Sequence, residues 1–351
     1  MFQHGDPYGS PTSVHLTRLL IVAALLALLL PTVANAQRRA PGHAPALAAA
    51  AKKRRKASKP AAPAAPATIG IAEQQPSVFA DPLFTATGIR DARLLVGWNG
   101  IFSPWQRDQI DAWLNAARAA GVDPLVTFGR SRTDFHQLPT PSQFAAAFQA
   151  FRQRYPWVHL YATWNEANLA GEAVFKRPDL VARFWRGMQA ACPTCTILAA
   201  ELVDLPNIQA WTSAFRLAAH REPAVWGLHN YLDANLFTTK GTRAMLRAVP
   251  GRIWLTETGG IVSRHNNSRI RFPEGEGHAA AATQFVLDKL TALSPRIQRV
   301  YLYDWQAQPG TATWDSGLMG PDGTARPAYL VLKNRLAQLQ ALAAARAHAA
   351  R

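Results

Sequence analysis

Two apolar runs in this chain end on a carboxylate: "VHLYATWNEAN" reaches Glu166 and "RIWLTETGG" reaches Glu257. An ionisable group that ends a strand of otherwise interior side chains has to face an opening. Two carboxyl groups brought to one opening about 5 to 5.5 Å apart can divide a glycosidic cleavage between them, one protonating the leaving oxygen and the other attacking the anomeric carbon. Other runs also end on groups able to bind or polarise. Arg93, Trp98 and Asn99 belong to the second run, Asn165 to the fourth and Glu201 to the fifth. His229, Asn230 and Tyr231 end the sixth, and Asp304 and Trp305 the eighth.

Something must bring these ends together. The candidate strands are "TIGIAEQ" (68–74), "ARLLVGW" (92–98), "PLVTFG" (124–129), "VHLYATW" (158–164), "TILAAEL" (196–202), "AVWGLHN" (224–230), "RIWLTE" (252–257) and "RVYLYDW" (299–305). Strands this uniformly apolar suit a parallel sheet covered on both faces. Amphipathic stretches lie between them. "SPWQRDQIDAWLNAARAAG" starts with Ser103 as a cap and Pro104 in the first helical position, and ends at Gly121. "TPSQFAAAFQAFRQRYP" places Phe144, Phe148 and Phe151 on one face. The alternation predicts an α/β fold, a (β/α)8 TIM barrel forming one catalytic domain over 68–351. An open doubly wound sheet would favour a glycine-rich loop after the first strand, and "GIAEQQPSVF" has none. In a barrel, the carboxyl ends of strands four and seven face each other across the mouth.

With Asn-Glu at the end of strand four ("WNEAN") and a Glu at the end of strand seven ("TETGG"), the chain resembles the clan A glycoside hydrolases, retaining enzymes built on an eightfold barrel. It is similar in particular to family 39 and family 5-like secreted bacterial members. The likeness extends to Arg93, to "HNY" at the sixth strand and to Trp305, and covers residues 68–340. It implies Glu166 as acid/base and Glu257 as nucleophile, with Arg93 pairing with Glu257 and Tyr231 hydrogen-bonding it. It also implies that Asn165 contacts the sugar 2-hydroxyl, that His229 touches the acid/base or the sugar, and that Trp305 floors the reactive subsite. Trp98, Trp105 and Trp314 would line neighbouring subsites. No metal or cofactor is expected, and the partner is a poly- or oligosaccharide. Glu201 and Asp304, without the Asn-Glu signature, read as binding or supporting residues, and Asp123 as structural at the opposite face.

The formal charge of +16 is uneven: residues 1–72 hold nine bases and one acid, Asp6. Arg18, the apolar "LLIVAALLALLL" and the small residues Ala34 and Ala36 form the layout of a cleaved secretory signal peptide over 1–36. Residues 37–67, rich in Ala, Pro and basic side chains, read as a solvated linker able to associate with an anionic cell wall. No basic stripe interleaved with aromatics points to nucleic acid, and a monomer is expected. The two cysteines, Cys192 and Cys195, stand in "CPTC". In the cytosol that spacing suggests redox or metal chemistry, whereas export favours a local disulfide at a helix-to-strand corner. Two loops, "GRSRTDFHQLPT" and "LDANLFTTKGT", are long enough to shape a cleft, and the arginines of the first would favour an acidic glycan. A carbohydrate-binding barrel without catalysis, or a wall-associated protein working through its linker, are the alternative functions.

Overall fold

The computed structural model describes residues 65–265, 270–309 and 313–349. The expected signal peptide, and all but the last three residues of the linker, lie outside the described residues. Eleven strands occur among the latter: β1 (Thr68–Ala72), β2 (Asp91–Gly97), β3 (Asp123–Gly129), β4 (Leu160–Ala162), β5 (Thr196–Leu198), β6 (Glu201–Val203), β7 (Val225–His229), β8 (Arg252–Thr258), β9 (Ser263–Arg264), β10 (Ile297–Tyr303) and β11 (Trp314–Asp315). The helices between them are α1 (Pro82–Thr87), α2 (Pro104–Ala119), α3 (Pro141–Arg154), α4 (Pro178–Ala191), α5 (Ile208–Ala219), α6 (Tyr231–Asn235), α7 (Lys240–Ala248), α8 (Glu276–Phe285) and α9 (Pro327–Ala349). None is long and apolar enough to cross a membrane.

The main sheet runs β5-β4-β3-β2-β1-β10-β8-β7-β6, all neighbours parallel. β9 and β11 form a separate antiparallel pair. Eight strands were expected and the sheet has nine, because the fifth, "TILAAEL", is interrupted at Ala199 and Ala200. Its first half pairs with β4 and its second with β7. The break still closes the barrel: Glu201 N donates to Trp164 O (3.0 Å) and Ala167 N to Glu201 O (2.9 Å) on one side, while Gly227 N donates to Ala200 O (2.9 Å) on the other. The architecture is the expected TIM barrel.

Helix ends follow the sequence with one departure. Thr140 and Gln143 make a reciprocal capping box on α3. Ser103 occupies the cap position of α2, but its side chain makes no capping bond, so Pro104 alone marks that start. Phe144, Phe148 and Phe151 pack edge-on against Phe128 of β3, with ring centroids 5.5 to 6.0 Å away. The disulfide joins Cys192 and Cys195 at the corner between α4 and β5.

Inside the barrel the side chains form layers. Ala72, Leu125, Ala162, Leu198, Val225, Trp254 and Tyr301 make an apolar floor. Two residues beyond Leu125 on β3 the interior turns polar at Thr127, and β2 and β6 add Arg93 and Glu201, all three fully buried. On β8 the register shifts against both neighbours around Thr256 and Glu257. A bulge of this kind re-aims a side chain at the end of a strand, and here the side chain concerned is Glu257.

Candidate active site

Arg93 holds this layer together. Its Nη1 donates to Glu257 Oε2 (2.9 Å), its Nη2 to Glu201 Oε2 (2.5 Å) and to Asn165 Oδ1 (2.7 Å), and its Nε to Glu201 Oε1 (3.0 Å) and Thr127 Oγ1 (3.1 Å). The fork geometry of a guanidinium suits such a post, since one planar cation can orient several acceptors at once. Burial alone would raise the Glu201 carboxyl, but Arg93 and His229 outweigh it and hold the group at about 2. Glu201, fully buried beneath the mouth, is thus a fixed anion.

Glu257 is pinned at both oxygens. Arg93 holds Oε2, and the Tyr231 hydroxyl donates to Oε1 (3.2 Å). Burial, reinforced by Glu257, pushes the Tyr231 phenol well above its ordinary range, so the hydroxyl stays a donor. Glu166 lies opposite, 4% exposed, in a turn four residues beyond β4. Its φ of +46° puts a non-glycine residue in the left-handed region, the kind of backbone that persists where surrounding structure enforces it.

The enforcing contacts come from Asn168, the second Asn of "NEAN", which sequence reasoning passed over. Its Nδ2 donates to Val203 O (2.9 Å) and Asn207 Oδ1 (2.8 Å), and its Oδ1 accepts from Val203 N (2.7 Å). One side chain thereby pairs with β6 as a strand would, and Asn207 Nδ2 returns a bond to Asn168 O (2.8 Å).

His229 lies between the two candidate carboxylates. Its Nδ1 is 3.3 Å from Glu166 Oε1 and 3.9 Å from Glu257 Oε2. Its Nε2 stands 3.3 Å from Glu201 Oε2, an ion-pair contact off the hydrogen-bond direction. Burial disfavours the imidazolium, but Glu257, Glu166 and Glu201 overcome that and raise the ring to about 9. Two oxygens at those distances from one nitrogen lie within about 7 Å of each other, a span that includes the separation used in double displacement. Asn165 Oδ1 must face Arg93, which only donates, so its NH2 remains the donor for another group.

Two expected tryptophans do not line the site. The Trp305 ring, 1% exposed, is enclosed edge-on by Phe84 and Tyr329 at 5.4 and 5.7 Å, and its indole donates to Asp81 (2.7 Å). It packs against the outer helices and offers no face to a sugar. The strand ends at Tyr303, two residues earlier, and Tyr303 takes the inward position, half-buried above the apolar floor and within electrostatic reach of Glu257 and Arg93. The period of two from interior Tyr301 would have found it. Trp98, 5% exposed, belongs to the outer core. Trp105 is 48% exposed in the first turn of α2. Trp314 packs edge-on against Tyr231 at 4.9 Å.

Glu73, after β1, was also missed. It accepts main-chain hydrogen bonds from Gln74 and Gln75 on one oxygen and from Trp305 and Gln306 on the other, tying the ends of β1 and β10 together. A cavity of about 60 Å³ lies beside it, lined by Gln75, Asp81 and Gln306 among others. Asp304 is buried nearby, and burial together with Glu73 drives its carboxyl well up. A roomier cavity, about 280 Å³, opens beside Cys195 and Arg252, away from Arg93, Glu166, His229 and Glu257. Among the described residues no cluster of His, Cys, Asp and Glu could hold a metal ion.

No family model and no curated protein matches the chain. Solved structures do. GH5_18 from Streptomyces cattleya, in complex with GlcNAc, superposes with a TM-score of 0.57 at 15% identity, covering 79% of this chain and 81% of that one. A family 39 glycoside hydrolase from Bacteroides cellulosilyticus gives 0.51 at 17% identity, with 78% and 64% covered. A monomeric beta-xylosidase from Caulobacter crescentus gives 0.54 at 15% identity, with 77% and 68% covered. The barrel fold is shared with all three.

Proposed function

We propose that this chain is a retaining glycoside hydrolase that cleaves O-glycosidic bonds of a poly- or oligosaccharide by double displacement. The observation carrying the proposal is the meeting of Glu166 and Glu257, 91 positions apart in the sequence, around one nitrogen of His229. In this reading Glu257, oriented by Arg93 and Tyr231, attacks the anomeric carbon. Glu166 gives its proton to the leaving oxygen and later takes one from the water that releases the product. Asn165 donates to the sugar 2-hydroxyl, and Tyr303 with Trp314 forms the wall against which the sugar ring lies. His229, placed between Glu166 and Glu257, keeps the two reacting groups in place between the chemical steps. The barrel shared with glycoside hydrolases of families 5 and 39 supports the same reading.

The leader and basic linker fit export, with residues 37–67 tethering the barrel to an anionic wall. Digestion of a glycan panel with analysis of the product anomer tests the mechanism. The expected product keeps its configuration, and Glu257→Ala abolishes its formation. Glu166→Ala should slow glycosides with poor leaving groups far more than those with good ones, because only the former need a proton. An inverted product, or undiminished turnover by Glu257→Ala, would refute the assignment.

A further inference from the structure

The Tyr231 hydroxyl is held on Glu257 by something other than its own side chain. Tyr231 opens the one-turn helix α6, and Glu257 lies just before the end of β8, so the distance between them depends on how that turn is fixed to that strand end. Asn235, fully buried, spans the gap. Its Nδ2 donates to Tyr231 O (3.0 Å) and to Gly259 O (3.0 Å), and its Oδ1 accepts from Ile261 N (2.8 Å). His278 Nε2 lies 3.1 Å from the same oxygen, which can only accept, so that nitrogen carries the proton. The amide thus uses both donors and both lone pairs.

The neighbouring groups leave each element little room to adjust alone. A Cβ on Gly259 would come within 2.7 Å of Tyr303 O, so the strand end sits tightly against β10. On the other side, Asp204 accepts from Leu232 N (3.2 Å) and Asp233 N (2.7 Å), which fixes the turn to the end of β6. Asn235 is the side chain that bonds both to the residue bearing the hydroxyl and to the segment following the carboxylate.

We propose that Asn235 is a positioning residue: by tying Tyr231 O to Gly259 and Ile261, it sets the Tyr231 hydroxyl on Glu257 and so orients the attacking carboxylate. The proposal rests on the glycosidase reading for its kinetic consequence, and on the hydrogen bonds alone for its structural one. Asn235→Ala should lower kcat on an aryl glycoside by about tenfold to a hundredfold, the effect of misplacing a reacting group by a fraction of an ångström or more, with KM changed little. In a Tyr231→Phe background the same substitution should add less than about threefold, because its effect passes through the missing hydroxyl. Asn235→Asp keeps the bonds from Ile261 and His278 and loses the two donors, so it provides a second variant if the alanine does not fold. It should show the same dependence on Tyr231.

Effects that multiply fully in the double variant would overturn the proposal. So would a crystal structure of Asn235→Asp with the Tyr231 hydroxyl still bonded to Glu257. If the parent turned over no aryl glycoside, the glycosidase reading would fall, and the position of Tyr231 in that crystal structure would still decide the structural claim.

Discussion

Replacing Arg93 with Met should cost stability in a way that depends on pH. Arg93 and Glu201 are both 0% exposed, so the substitution leaves a carboxylate with no solvent and without its main cation. In the native chain Glu201 is held at about 2, against an ordinary value of 4.5. A lowering of that size corresponds to about 3 kcal/mol, at the lower edge of the roughly 3–5 kcal/mol lost when a buried pair is broken. A lowered carboxyl contributes stability that is present above its unfolded value and is lost as pH falls through the folded one. In the variant burial dominates, Glu201 is raised, and the sign reverses: stability falls as pH rises through the new value. The deficit of Arg93→Met relative to the parent should therefore be small only near pH 2, reach about 3 kcal/mol by pH 4.5 and grow further as pH rises through the raised value. Urea unfolding at several pH values across that range measures it. Arg93→Met combined with Glu201→Gln should recover most of the loss, since a neutral amide needs no buried cation. A deficit constant across the range, or a double variant no more stable than the single, would refute the reasoning.

Trp305→Ala should lower unfolding free energy by roughly 3–5 kcal/mol, as for a large side chain lost from a core, whereas Trp314→Ala should change it much less and show itself mainly as a raised KM. Denaturant midpoints and glycoside kinetics on the same two proteins separate packing from binding, and the reverse pattern would restore Trp305 as the sugar floor. Asn168→Ala leaves Val203 N without its acceptor and should cost about 2 kcal/mol. It should also lower kcat by releasing the Glu166 turn, an effect that a stability loss alone would not produce well below the unfolding midpoint.

Much of the fold could be read from the sequence because parallel strands covered on both faces must be apolar almost throughout, so that a polar residue ending one is conspicuous. Glu166, Glu257, Arg93, His229 and Tyr231 stood out for that reason, and the structure brings all five together. Where the reading failed, it lacked information on where each strand ends. The fifth strand breaks at two alanines that fit an apolar run equally well, and Trp305 falls outside the barrel because β10 stops at Tyr303. The residues that hold the site were hidden for a different reason. Asn168, Asn235 and Glu73 bond chiefly to main-chain atoms of distant segments, and every segment presents the same amides and carbonyls whatever its sequence. Chemistry in such a barrel is announced by residue type, while orientation depends on partners that carry no type at all. Substitutions at Asn168 and Asn235 should therefore alter rates through geometry alone, leaving the ionisable set intact.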